Sequence, residues 1–439
     1  MQAFVRNLVK AGNLMKNSDL NLPNTPLPLA PQLNPQHPLL KLAQALDWAA
    51  FDTDFNKLSS SEVGRPPLPS RLLVGLHYLK ALYHESDESV VAKWIENPYW
   101  QFFCGEQFFQ HQLPCHPTTL VKWRQRIGPD GMEKLLKQVL QTAQGQEAIK
   151  PADIKRVIVD TTVQEKAITF PTDAKLYDKA RRALVHQARQ HQIKLRQTYV
   201  RVGKHAAWKQ SRYAAAQQGR RAQKETRRLR TYLGRVIRDL ERKLPEPEKA
   251  VKELLRYAKR IYEQKKSDSG KVYSLHAPEV DCIGKGKVHK KYEFGCKVVL
   301  VTSNESNWIL GIDARHDNPY DGATLKEALQ QVEKLTGNRV KEAFVDQGFR
   351  GAAHHPEGVE VYISGKRKLS GKLKKLLKRR SAIEPVIGHS KHEHGLGRNH
   401  LRGKAGDRMN ALLSGCGFNL RKLWRWLSVT PLVRAQSRV

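Results

Sequence analysis

The chain has 439 residues, with 77 Lys and Arg against 42 Asp and Glu, a formal net charge of +35 and a pI near 10.0. That length supports two or three domains and a sizeable core. The excess of one sign implies a polyanionic partner, because Lys and Arg gain affinity by displacing counterions from phosphates.

Five cysteines without a CxxC pair exclude a disulfide framework. Cys104, His111, Cys115 and His116 lie close in sequence but match no zinc-finger spacing. No apolar run is long enough to span a bilayer, and the first residues lack a signal-peptide core, so a cytoplasmic, nucleoid-associated protein is expected.

In chain order, residues 1–40 read as a flexible arm, punctuated by Pro23, Pro26, Pro28, Pro31, Pro35 and Pro38. Residues 41–150 read as a helical amino-terminal domain that binds DNA. One helix carries Leu72, Leu73, Leu76, Leu79 and Leu82, with Ser70 as candidate N-cap; a second runs near Glu88–Ile95. A third follows Pro117-Thr118-Thr119, with Leu120, Trp123 and Ile127 as core and Lys122, Arg124 and Arg126 as candidate DNA contacts.

Val157-Ile158-Val159 then reads as a buried strand ending at Asp160. Lys179–Lys243 holds about twenty Lys and Arg against Glu225, Asp239 and Glu241, which predicts long helices, as a hairpin, with a DNA-facing basic surface. Residues 179–269 are therefore read as a basic helical insertion. Tyr292–Val301 and Trp308–Ile312, joined by a turn-rich segment, predict a β-hairpin. A helix over Ala323–Leu335, a strand into Asp346, a strand at Val359–Ile363 and a basic helix Lys366–Arg380 leading to Glu384 follow. An amphipathic helix Ala411–Leu427 ends the pattern, with Phe418, Leu420, Leu423, Trp424 and Leu427 as core candidates.

Asp160, Asp346 and Glu384 are the candidate catalytic and metal-binding set. Close carboxylates repel one another, and a hard divalent cation relieves this. Two such ions suit phosphodiester chemistry, activating the attacking oxygen and stabilising the leaving one. Arg380 and Lys391 flank Glu384 and are placed to hold phosphates. Asp313, Asp317 and Asp321 form a rival acidic cluster, ranked lower because Asn-Pro and Asp-Gly steps mark turns.

Several segments resemble the DDE transposases of bacterial insertion sequences, in particular the IS5 group. They are Val159–Asp173, Lys291–Gly295, Asp317–Gly322, Val345–Gly351 and the spacing Arg380-x3-Glu384-x6-Lys391; residues 60–127 are similar to the family's amino-terminal domain. The resemblance implies an α/β, ribonuclease H-like catalytic core over residues 151–178 and 270–430, binding Mg²⁺, with Mn²⁺ as a substitute, through Asp160, Asp346 and Glu384. It implies cleavage at the element's terminal inverted repeats and strand transfer into double-stranded target DNA by a homodimer, with no membrane partner. The family usually has Tyr where this chain has Leu377. The rival readings are a non-catalytic DNA-binding regulator derived from a transposase and a ribonuclease H-type nuclease.

Overall fold

A computed structural model describes residues 27–55, 67–284, 291–365 and 370–429. The amino-terminal part is helical: α1 (Pro38–Ala45), α2 (Trp48–Phe55), α3 (Ser70–Tyr83), α4 (Asp87–Glu96), α5 (Pro98–Phe103), α6 (Pro117–Gly145) and α7 (Pro151–Lys155). Local chemistry sets their ends. Ser86 and Ser89 cap α4 reciprocally, and Pro38, Pro98 and Pro117 open their helices where a missing N–H costs nothing. Gly128, with φ 63°, and Pro129 kink α6. Ser70 is the first helical residue of α3 and not its N-cap; Pro69 holds that place.

Residues 27–40 are not a loose arm. The Leu29 N–H donates to the Gln107 carbonyl at 2.7 Å, and Leu29, Leu33 and Leu40 are buried beside Tyr99, Phe102 and Phe109. The prolines prevent a long element there, yet they space leucines that the helical domain covers. Residues 1–26 of the expected arm lie outside the described residues.

The central element is a mixed sheet. β1 (Arg156–Lys166) pairs antiparallel with β3 (Tyr292–Ser303) and parallel with β5 (Glu342–Val345), which pairs parallel with β6 (Glu360–Ile363). The far edge of β3 carries β2 (Asp281–Gly284) and, further along, β4 (Ile309–Arg315), while the two-residue β7 (Arg398–Asn399) runs beside the end of β1. Gly295 is required where β1 and β3 meet, since a Cβ there would lie 1.9 Å from the Gln164 carbonyl.

Between β1 and β2 come α8 (Asp173–Gln190), α9 (Val200–Ala215), α10 (Gly219–Lys243) and α11 (Lys249–Glu263). The expected hairpin is thus four helices. They have their own hydrophobic core: Leu229, Leu233, Val236, Ile237 and Leu240 recur along one face of α10 and meet Leu184, Val251 and Ile261. After β4, α12 (Leu325–Thr336) follows a short 3-10 turn, Asp321–Thr324. Residues 366–369 of the expected basic helix lie outside the described residues, and the remainder forms α13 (Gly371–Lys378) and a 3-10 turn, Arg379–Ala382. α14 (Ile383–Glu393) and α15 (Gly403–Ser428) complete the chain, and α15 buries Leu420, Leu423 and Leu427 against the core shared by sheet and amino-terminal helices. Among the described residues, no helix is long and apolar enough to cross a membrane.

Candidate active site

The strand register decides which acidic residues meet. Val159 of β1 pairs with Val345 of β5, so Asp160, within β1, and Asp346, just past the end of β5, are neighbours on adjacent parallel strands. Asp160 stays in β1, opposite Leu300, and its Oδ1 accepts the Thr161 N–H at 2.7 Å. Asp346 leaves the sheet as the cap of a 3-10 turn, Gln347–Phe349, its Oδ1 accepting the Gly348 N–H at 2.8 Å.

Glu384 comes from a different direction. It is the second residue of α14, where a negative charge suits the helix amino terminus. Arg380 connects it to the sheet: its guanidinium lies 3.6 Å from Asp160 Oδ2 and 3.9 Å from Glu384 Oε1. Asp160 and Arg380 are largely shielded, whereas the Glu384 side chain is 65% exposed. Lys391 is half-buried at the far end of α14. Leu377 packs partly buried against the core, so the residue standing in the aromatic position has a structural contact.

Asp321 joins this neighbourhood without having been singled out for it. A Cβ on Gly348 would lie 2.9 Å from Asp321 Oδ2 and 3.0 Å from Asp346 Oδ1, so glycine keeps open a pocket between two carboxylates. Asp321 is paired with Lys297 at 2.7 Å. Its former companions disperse. Asp313 sits within β4, where burial pushes its carboxyl up against the opposing pull of Arg408 and Arg315. Asp317 is an exposed turn residue with φ 66°, 3.3 Å from Lys404. The sequence marked Asp321 only as part of a rival cluster with Asp313 and Asp317; its meeting with Lys297 and Gly348 depends on how β3 and β5 are placed in the sheet.

The three basic residues expected on one DNA face divide. Lys122 and Arg126 are exposed on α6. Arg124 is instead buried, at 3% side-chain exposure, and forks onto Asp87 at 2.7 and 2.6 Å. It also faces His77 at 3.3 Å. That guanidinium is a cation of the helical core, and its charge is spent inside the protein. The Cys104–His116 region holds no gathered ligand set: Cys104 is buried and free, and burial pushes the Cys115 thiol up to about 11.

A mixed sheet with acidic residues converging at one end, joined to a helical domain on a strongly basic chain, defines a protein of the nucleic-acid-processing class. A transposase domain model (DUF772) matches residues 28–126, and a transposase DDE domain model matches residues 361–424, the span that contains Arg380, Glu384 and Lys391. The chain belongs to the DDE transposases of bacterial insertion sequences. It is 50% identical over 186 residues to "Uncharacterized protein ORF8 in nfe locus" of Rhizobium meliloti, a match covering 42% of this chain and 89% of that protein. No solved structure matches the chain.

Proposed function

We propose that this transposase cleaves the ends of its insertion sequence and joins them to target DNA at a site formed by Asp160, Asp346 and Glu384. The observation that carries the reading is the strand order β4-β3-β1-β5-β6, with β3 alone antiparallel, which sets Asp160 beside Asp346 while Arg380 ties Asp160 to Glu384. This order supports a ribonuclease H-like core, and the similarity to the IS5 group rests on the motifs above.

The donor set suits a hard divalent cation. Each of the three candidate ligands is a carboxylate, and Gly348 leaves room at Asp346 that a side chain would fill. Mg²⁺, or Mn²⁺ in its place, would be held by Asp160, Asp346 and Glu384, and would supply Lewis-acid stabilisation of the oxygens entering and leaving phosphorus. The chain's own contribution is positioning. Arg380 offers a planar fork to a non-bridging phosphate oxygen once it turns from the carboxylates, and Lys391 adds a cation on α14, the helix of Glu384. Lys122 and Arg126 of α6, within the domain read as binding DNA, and the basic surface of α8–α11 would grip the duplex outside the cut. Two element ends must be brought together, which favours a homodimer acting on terminal inverted repeats.

The test uses the full chain with a labelled element end. Asp346→Asn and Asp160→Asn should each lower cleavage by at least about 100-fold while retaining DNA affinity. Cleavage unchanged in both variants would remove these residues from the chemistry. Full cleavage without any joined product from a pre-cut end would point to a nuclease.

A further inference from the structure

The geometry points to a second metal site, distinct from the carboxylate site, in which Cys296, His316 and Asp407 hold one zinc-class divalent cation through Sγ, Nε2 and Oδ2. Their ligand atoms lie within 4.8 Å of one another, and this is the one such grouping of three among the described residues. The inference does not depend on the reaction proposed above.

The three donors come from separate segments: Cys296 from β3, His316 from the exit of β4, and Asp407 from the first turns of α15. Cys296 is 1% and Asp407 3% exposed. Sulfur, imidazole and carboxylate together suit zinc and not Mg²⁺. With zinc–ligand bonds of about 2.0–2.3 Å, tetrahedral ligands stand roughly 3.3–3.8 Å apart, so closure asks for about an ångström of side-chain movement.

The surrounding hydrogen bonds resemble an outer ligand shell. Asp407 Oδ1 is held by Lys166 at 2.8 Å and Asn399 at 2.6 Å, while Oδ2 is turned to His316 Nε2 at 3.0 Å. The Gln164 amide donates toward Cys296 Sγ at 3.6 Å and to the Asp407 carbonyl at 3.0 Å. Such partners orient ligands and fix which atom faces the ion.

Charge makes the same case. Lys166 is the cation paired with both Glu279 and Asp407, each at 2.8 Å, and all three side chains are 7% exposed or less. Two buried carboxylates against one ammonium leave one negative charge over. A divalent ion bound with the Cys296 thiolate would add one net positive charge beside these carboxylates. Binding releases the thiol proton to solvent and replaces the Nε2–H···Oδ2 hydrogen bond between His316 and Asp407, so the imidazole must shed its Nε2 proton and ligate as the Nδ1–H tautomer. A water completes the fourth position.

Occupancy would clamp the segment from His316 to Asp321, whose far end reaches Lys297 and Gly348 beside Asp346. The experiment is elemental analysis of untagged, full-length protein from zinc-supplied cells, gel-filtered without chelator. About one zinc per chain is expected, retained by the Asp160→Asn/Asp346→Asn double variant and lost by Cys296→Ser. The metal-free protein reloaded with Co²⁺ should show thiolate-to-cobalt absorption in the near ultraviolet. Zinc well below one equivalent in the parent protein overturns the proposal, as does zinc retained by a folded Cys296→Ser. Should Cys296→Ser not fold, the cobalt spectrum of the parent decides alone, and absence of the band overturns the site.

Discussion

Asp87→Asn should destabilise the amino-terminal helical domain by about 3–5 kcal/mol, because it strips the charge from a carboxylate that serves two shielded cations. Asp87 receives both arms of Arg124, at 2.7 and 2.6 Å, and Lys80 at 2.7 Å. Arg124 is 3% exposed and Asp87 12%, so solvent cannot replace the lost anion at the guanidinium. A loss of that size is a large share of the roughly 5–15 kcal/mol that holds a typical domain folded. Urea unfolding followed by circular dichroism, with hydrogen exchange of α3, α4 and α6, measures it. The same experiment separates structural from DNA-facing basic residues. Lys122→Ala with Arg126→Ala should leave stability within about 0.5 kcal/mol. It should also reduce the slope of log affinity for duplex DNA against log salt by nearly 2, at about 0.9 per phosphate contact. A loss below about 1 kcal/mol in Asp87→Asn would refute the argument, since Arg124 would then not depend on Asp87 for its charge balance.

Acid should weaken the same domain through His77. Burial, then the Arg124 charge, lowers His77 to about 3, its Nδ1–H donating to the Leu73 carbonyl at 2.7 Å. Between an unfolded value near 6.5 and that folded value the unfolded chain binds the extra proton, so stability falls as pH drops, by up to about 1.4 kcal/mol per pH unit. Asp87, which burial would raise but Arg124 and Lys80 hold well below the carboxylate range, adds to the loss below about pH 4. His77→Gln should flatten the slope between about pH 4 and 6.5 in denaturation midpoints, and an unchanged slope would show that His77 is not its source. Gly295→Ala should prevent normal folding: its Cβ would stand 1.9 Å from the Gln164 carbonyl, and neither β1 nor β3 can retreat without breaking their pairing. Expression and thermal unfolding test this, and a variant melting within a few degrees of the parent would show the two strands to be more pliable.

The strands were legible where burial on both faces imposes a continuous apolar run, as in Val157-Ile158-Val159, or where a turn-rich segment separates two such runs, as between β3 and β4. Asp346 and Glu384 stood out because each ends or opens an element; Asp160 was expected to end its strand, but β1 continues through it to Lys166. Arg124 was misread for a physical reason. Lys122, Arg124 and Arg126 look alike in sequence, and the one that turns inward is chosen by Asp87, which lies 37 residues earlier on another helix. β2, only Asp281–Gly284, has no apolar pattern of its own and exists because the edge of β3 is open to it. The docking of Leu29, Leu33 and Leu40 was hidden because prolines report where regular structure stops, not where chain is covered.

The position of the helical insertion follows from one buried ion cluster. The chain leaves β1 at Lys166, six residues beyond Asp160, and returns through Glu279 to β2. Lys166 pairs with Glu279 and with Asp407 of α15, while Glu279 accepts the Gly403 N–H at 2.9 Å. Exit, return and the start of α15 are therefore fastened at one point on the sheet that carries Asp160. With charges this shielded, removing one partner leaves a costly unpaired ion, so the junction favours a single arrangement. A basic four-helix unit tethered by a loose linker could bind DNA anywhere within reach. One fastened at both ends beside the strand that carries Asp160 keeps its basic surface in a fixed relation to that residue, which is what the proposed cleavage reading requires of a DNA-holding unit.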